Sequence, residues 1–275
     1  MRVLITGHLG YIGTVLTAML LNEGHEVVGY DSDLYRESSF SCGMVEVPAI
    51  NKDIRDAEAR DLDGFDAVLH LAGLSSEPLG ELDPKLTMEI NFEAAVRLAD
   101  LARKVGVKRF LFSSSCHYYG GGDEFQTEES LLCPKTPYAK SKVLAEQQIQ
   151  TLANEKFSPV FLRIATAFGI SPRHRFDLVV NNLTARAYTT GKVHLICNGS
   201  EWWPLAHVED ICRAFTAALK TDRDVVHNQA FNVGRTDSNY RTCEIAEMVK
   251  EVVPNSEVRL GSAPSPDRRY MLDCS

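Results

Sequence analysis

The chain opens with a short apolar run, Val3 to Thr6, that passes directly into Gly7-His8-Leu9-Gly10-Tyr11-Ile12-Gly13, where a helical pattern begins. A strand, a glycine turn and a helix in that order make the first half of a βαβ unit. In such a unit the first glycine makes the tight turn, the second lets backbone N–H groups approach a pyrophosphate, and the third lets helix pack on strand. The GxxGxxG spacing is weak in isolation; its place immediately after a strand gives it weight. Gly7, Gly10, Tyr11, Ile12 and Gly13 are therefore expected to line a dinucleotide cleft.

Further apolar runs at Glu26 to Tyr30, Ala67 to His70, Arg109 to Ser113 and Pro159 to Arg163 read as strands. Helical patterns at Ile12 to Asn22, Pro84 to Lys104 and Pro137 to Glu155 separate them, with Gly24 and Gly106 placed as helix stops. This alternation predicts an α/β fold, a Rossmann-type doubly wound parallel sheet. After Arg163 the rhythm becomes irregular: a new helix beyond Asp177, an apolar run at Val193 to Cys197, a Trp202-Trp203-Pro204 turn, a helix at Val208 to Leu219, a strand at Ala230 to Val233 and a helix at Thr242 to Val252. Two interleaved parts result. Residues 1–163 plus 206–235 would form the cofactor domain, and 164–205 plus 236–275 a small C-terminal cap.

The second strand ends on Asp31, where a carboxylate can accept hydrogen bonds from both adenosine ribose hydroxyls. A 2′-phosphate there would meet like charge, so NAD is expected rather than NADP. Asp53 and Ile54 are placed to flank the adenine.

With 29 Lys+Arg against 37 Asp+Glu the formal charge is −8, which leaves no basic surplus for binding nucleic acid. No apolar stretch approaches the roughly 18 residues of a membrane span, and Met1 to Thr6 reads as a strand rather than a signal peptide, so a cytoplasmic protein is expected. Seven cysteines without a CxxC pair, and eight histidines without HxxxH or HExxH spacing, provide neither a disulfide framework nor a metal-ligand set. Chemistry must come from an organic cofactor or from side chains alone.

Tyr138-Ala-Lys-Ser-Lys142 sets a phenol and an ammonium one helical turn apart on the same face. For a tyrosine to exchange a hydroxyl proton its pKa must fall from about 10 towards 7, roughly 4 kcal/mol. A cation about 4 Å away supplies about that much at an effective dielectric near 20, so the pair is expected to act inside an enclosed cleft. Tyr188 and Lys192 share the spacing, but Gly191 ends the helix between them. The strand at Arg109 runs into Ser113-Ser114-Ser115, at the carboxyl edge where such sheets bind ligands, and Ser115 can donate to the oxygen whose proton Tyr138 handles.

GHLGYIG, Asp31, HLAG at 70–73, Asn91, SSSCHYYG at 113–120, YAKSK, LRIATAFG at 162–169 and FNVG at 231–234 occur in order along nearly the whole chain. Together they resemble the extended short-chain dehydrogenase/reductase family, the NAD-dependent epimerases and dehydratases of nucleotide sugars. The resemblance implies NAD as cofactor, a nucleotide-sugar substrate bound by the cap, and Ser115, Tyr138 and Lys142 as catalytic triad. It further implies that Asn91 braces the lysine through a water relay, that Leu71, Ala72 and Gly73 line the cofactor cleft, and that Asn182 and His207 fall near the substrate groove. By the same analogy the two helices containing Glu89 to Lys104 and Tyr138 to Glu155 would form a homodimer seam.

Dehydratases and C3 or C5 epimerases of that family carry an extra acid/base two residues after the serine, a place held here by His117. Histidine titrates near neutral pH and can take a C–H proton or orient the sugar. Trp203 stands where many members have an arginine for the nucleotide diphosphate; Arg173, Arg175 or Arg268 are the substitutes expected in this chain. The chain stops at Ser275, so a cap shortened at its C-terminus is expected. The leading expectation is an NAD-dependent epimerase or dehydratase of a nucleotide-activated sugar, with 4-epimerisation its simplest form. The alternatives are an NAD(P)H-dependent reductase of a keto-sugar or other carbonyl, and a non-catalytic NAD-binding regulator.

Overall fold

The computed structural model describes residues 1–39, 43–119, 124–264 and 270–275. The chain runs through β1 (Arg2–Thr6), α1 (Tyr11–Asn22), β2 (Glu26–Asp31), β3 (Ala49–Asn51) and β4 (Ala67–His70). Two short helices, α2 (Glu77–Leu82) and α3 (Pro84–Met88), lead through a π-helical turn, Glu89–Ala94, into α4 (Ala95–Lys104). Next come β5 (Arg109–Ser115), β6 (Phe125–Gln126), α5 (Pro137–Gln150), β7 (Ser158–Ile164) and β8 (Thr166–Phe168). The remainder is α6 (Val179–Thr190), β9 (Lys192–His194), β10 (Trp202–His207), α7 (Val208–Lys220), α8 (Arg223–Val226) and β11 (Ala230–Val233), then β12 (Asn239–Arg241), α9 (Thr242–Val252), β13 (Glu257–Arg259) and β14 (Met271–Leu272). No helix among the described residues is long and apolar enough to cross a membrane.

Among the described residues one seven-stranded sheet has the order β11-β7-β5-β4-β1-β2-β3, with its neighbours parallel. The winding direction reverses between β1 and β4, which opens a crevice outside their carboxyl ends. Every residue of β4 and β7 is buried, because helices cover both faces. On one face Leu16 and Leu20 of α1 and Phe215 and Leu219 of α7 pack with Val3, Ile5, Leu69 and Leu111. On the other, Leu98 and Ala102 of α4 and Ala145 and Ile149 of α5 pack with Leu4, Val68, Phe110 and Phe112. A third core gathers Leu183 and Ala187 of α6, Ile245, Ala246 and Val249 of α9, and Val193 of β9.

Three sequence expectations need correction. The run Pro84 to Lys104 is not one regular helix, because a π turn carrying buried Asn91 interrupts it; such turns often mark functional sites. Trp202 to Pro204 is not a turn but the start of β10, which pairs with β12 through Pro204 and with β8 from Leu205 onward. The proline sits where the strand changes partner, so its missing N–H breaks no ladder. Helix α5 stops at Gln150 rather than Glu155, because Asn154 Oδ1 accepts from Lys156 N and Phe157 N and so closes a side-chain turn.

Candidate active site

The glycine turn is shaped by close approach. Gly7 has φ +76°, and a Cβ there would stand 2.7 Å from Ala72 N. A Cβ on Gly13 would collide with the Gly7 carbonyl and the His8 backbone, and one on Gly10 would lie 3.1 Å from the Gly7 oxygen. The Tyr11 hydroxyl donates to Gly169 O at 2.6 Å and accepts from Asn181 Nδ2, tying the turn to the segment beyond β8. Asp31 is aimed by two backbone donors, Leu9 N on Oδ2 and Asp33 N on Oδ1, each at 3.0 Å. Asp53 is clasped by Arg55 at 2.9 Å, and its carbonyl accepts from the Tyr30 hydroxyl.

One cavity of about 810 Å³ runs from Gly7, Asp31, Asp53 and Ile54 past Leu71, Ala72 and Gly73 to Ser115, His117, Tyr138 and Lys142. The glycine cradle and the forward-facing carboxylate fit a dinucleotide at one end of it.

At the other end Thr136 caps α5 by accepting from Ala139 N, and Pro137 starts it. One turn apart on that helix, Tyr138 and Lys142 are both buried, as is Ser115 at the end of β5. The Lys142 ammonium donates to Ser113 O at 2.9 Å and lies over the Phe112 ring. Burial lowers its pKa to about 8. Burial likewise pushes the Tyr138 phenol above its ordinary value, against the pull of a hydrogen bond from Ser115 and the charge of Arg175. In this enclosed cleft desolvation is the larger influence on the phenol, and the charge of Arg175 opposes it. The second match to the spacing fails as expected, since Gly191 has φ +68° and Tyr188 is 83% exposed.

Asn91 braces the loop beside the lysine. Its Oδ1 accepts from Leu74 N and its Nδ2 donates to Leu74 O, both at 2.8 Å, and a Cβ on Gly73 would touch both Asn91 Oδ1 and Lys142 Nζ. His117 enters the same end of the cavity, its ring 6.4 Å from that of Tyr138 and 6.5 Å from that of Trp203. Trp203 is held by its indole N–H donating to Thr242 Oγ1 at 2.8 Å.

A family model described as the NAD-dependent epimerase/dehydratase family matches residues 3–234. The chain belongs to that family. It is 28% identical over 280 residues to a UDP-glucose 4-epimerase of Bacillus subtilis (strain 168), an alignment covering 92% of this chain and 82% of the relative. It is 31% identical over 249 residues to a UDP-glucose 4-epimerase of Mycolicibacterium smegmatis, covering 85% and 77% respectively. Among solved structures it superposes on a UDP-glucose 4-epimerase of Thermotoga maritima with UDP-glucose, with TM-score 0.86, 26% identity and coverage of 100% and 90%. A Thermus thermophilus UDP-glucose 4-epimerase complex with NAD gives TM-score 0.85, 26% identity and coverage of 100% and 91%. NAD is the cofactor of the family.

Within this family member, Arg173 and Arg175 line the cavity, Arg173 over the Tyr35 ring and Arg175 donating to Ser75 Oγ at 2.8 Å while paired with Asp177. Asn182 does not line it; its amide donates to Phe176 O. His207 is turned away as well, capping α7 and lining a separate cavity beside β11. Arg268 lies outside the described residues. Sequence reasoning passed over Glu146 and Arg163, a buried ion pair at 2.6 Å whose carboxylate also accepts from Ser114. The signal was available: Tyr138, Lys142 and Glu146 follow one another at four-residue steps along one helix face. It also passed over Glu77 and Thr166, which flank His117.

Proposed function

We propose that this chain oxidises a hydroxyl of a nucleotide-activated sugar to a transient ketone and returns the hydride, with 4-epimerisation the simplest outcome. The observation that supports it is the meeting of Ser115, Tyr138 and Lys142 at one end of a cavity whose other end is the glycine cradle and Asp31. Gly7, Gly10 and Gly13 would hold the pyrophosphate, Asp31 the adenosine ribose, and Asp53 and Ile54 the adenine, with Tyr11, Ile12, Leu71, Ala72 and Gly73 lining the way. When bound, NAD supplies the hydride acceptor and, oxidised, a positive charge on its nicotinamide ring.

The chain's own groups handle the proton. Ser115 donates to the sugar oxygen and holds it against Tyr138, which takes the hydroxyl proton as the ketone forms and gives it back as the alcohol is restored. Lys142, fixed by Ser113 O, sits beneath to favour the phenolate, and Asn91 keeps the adjoining loop in place. Arg173 and Arg175 provide the guanidinium groups for a nucleotide diphosphate in place of the arginine that Trp203 displaces. His117 serves as an acid/base at the ketone end of the cavity.

The same reading assigns 1–163 plus 206–235 to cofactor binding and 164–205 plus 236–275 to the substrate. It takes the chain to be a cytoplasmic homodimer joined through α4 and α5, where Leu144 is 40% exposed. The test is to add UDP-glucose to the NAD-loaded protein without free nicotinamide and follow nicotinamide absorbance together with the sugar product. Transient cofactor reduction with catalytic turnover is expected. In a parallel assay with added NADPH and a keto-sugar, stoichiometric consumption of NADPH would make the protein a reductase, and NAD binding with neither result would make it a regulator.

A further inference from the structure

We propose that Glu77, His117 and Thr166 form a second proton relay in the cleft, distinct from Ser115, Tyr138 and Lys142, which removes and returns a carbon-bound proton beside the transient ketone. The inference rests on the sugar-oxidation reading above.

Three separate elements converge to build it. His117 follows β5, Thr166 opens β8 and Glu77 opens α2. Nδ1 of His117 lies 3.6 Å from Glu77 Oε1, and Nε2 lies 3.1 Å from Thr166 Oγ1. Carboxylate, imidazole and hydroxyl in that order are the arrangement by which a base activates a hydroxyl while a third group orients and stabilises the base. His117 and Thr166 both line the cavity that holds Ser115 and Tyr138. Thr166 is fixed by its pairing with Leu205 and is only 5% exposed.

In the forward step the C–H proton next to the ketone passes to Thr166 Oγ as the threonine proton passes to His117 Nε2. The C–H electron pair becomes the enolate, and the imidazolium faces Glu77. Reversal returns a proton to carbon, and no oxidant is needed beyond the step that makes the ketone. Thr166 and His117 are thus catalytic residues, and Glu77 a positioning residue.

The test incubates the NAD-loaded protein with UDP-glucose or UDP-glucuronic acid in D2O and reads deuterium in the recovered sugar by mass spectrometry alongside nicotinamide absorbance. Deuterium is expected at carbon in the unmodified protein. Thr166→Val and His117→Asn should each lower the ratio of deuterium uptake to cofactor reduction by roughly 100-fold, with Thr166→Ser restoring it. Glu77→Gln should lower that ratio about tenfold, and Glu77→Asp should recover part of it. Cofactor reduction without deuterium uptake, or an unchanged ratio in Thr166→Val, overturns the relay. No cofactor reduction with either sugar in the unmodified protein overturns the sugar-oxidation reading and the relay with it.

Discussion

Two buried polar clusters follow one another along α5 at the carboxyl ends of β5 and β7. In the rear cluster, one turn further along α5, Glu146 accepts from Arg163, Ser114 and Tyr118 at 2.6, 2.7 and 2.7 Å, and Arg163 also donates to the Tyr119 hydroxyl and Glu128 O. In the front cluster, Lys142 donates to Ser113 O and has no carboxylate within ion-pair distance among the described residues. The titration directions follow. Burial alone would lower Arg163, yet Tyr118 and Glu146 hold it above its ordinary value, whereas burial with no counter-charge brings Lys142 down to about 8. A cluster whose charges are all answered holds the strand ends together; one left short of a partner is ready for a ligand to complete it.

The largest effect belongs to the front cluster. Tyr138→Phe removes the hydroxyl that carries the proton, so turnover should drop by roughly 10³- to 10⁴-fold with folding intact, measured as product formed against thermal midpoint. Next comes the rear cluster: Glu146→Gln leaves Arg163 buried and unpaired, which should cost about 3–5 kcal/mol in denaturant unfolding. A loss of under 1 kcal/mol there would show that the rear cluster is no firmer than the front.

The sheet and the glycine turn were legible because their signals are local: β-branched runs, glycines where backbone passes within contact distance, and a YxxxK step on one helix face. Two features were not legible. The π turn that brings Asn91 inward has no period that separates it from the flanking helix, and strands β3 and β8, three residues each, are too short to show alternation. Within the site, the YxxxK step places the lysine one turn from the phenol, but how strongly dry surroundings penalise charge on both groups is set by the fold. Glu77 and His117 are far apart in sequence and meet only through the fold.

The unanswered lysine should be visible in the pH dependence of stability. Its folded pKa of about 8 lies below its ordinary 10.5, so between those values the unfolded chain binds more protons and stability rises with pH. The cost of the buried charge is fully present below pH 8 and is relieved by about pH 10.5, a gain of roughly 3 kcal/mol from this group. Lys142→Met should abolish that rise, read as the difference between the two unfolding free energies across the interval.

The smallest effect sharpens the boundary between the clusters. Ser114 and Ser115 are adjacent on β5 and both line the cavity, but they serve different clusters: Ser114 Oγ donates to Glu146, while Ser115 acts on the Tyr138 phenol. Ser114→Ala removes one hydrogen bond to a charged acceptor that still keeps Arg163 and Tyr118, so it should cost about 1.5–3 kcal/mol of stability. Because the lost hydroxyl is bonded to Glu146 and Tyr118 within the rear cluster, NAD affinity should change by less than about threefold, a difference under 1 kcal/mol in a binding titration. If cofactor affinity instead falls in step with stability, the rear cluster sets the geometry of the front one and the two are a single mechanical unit.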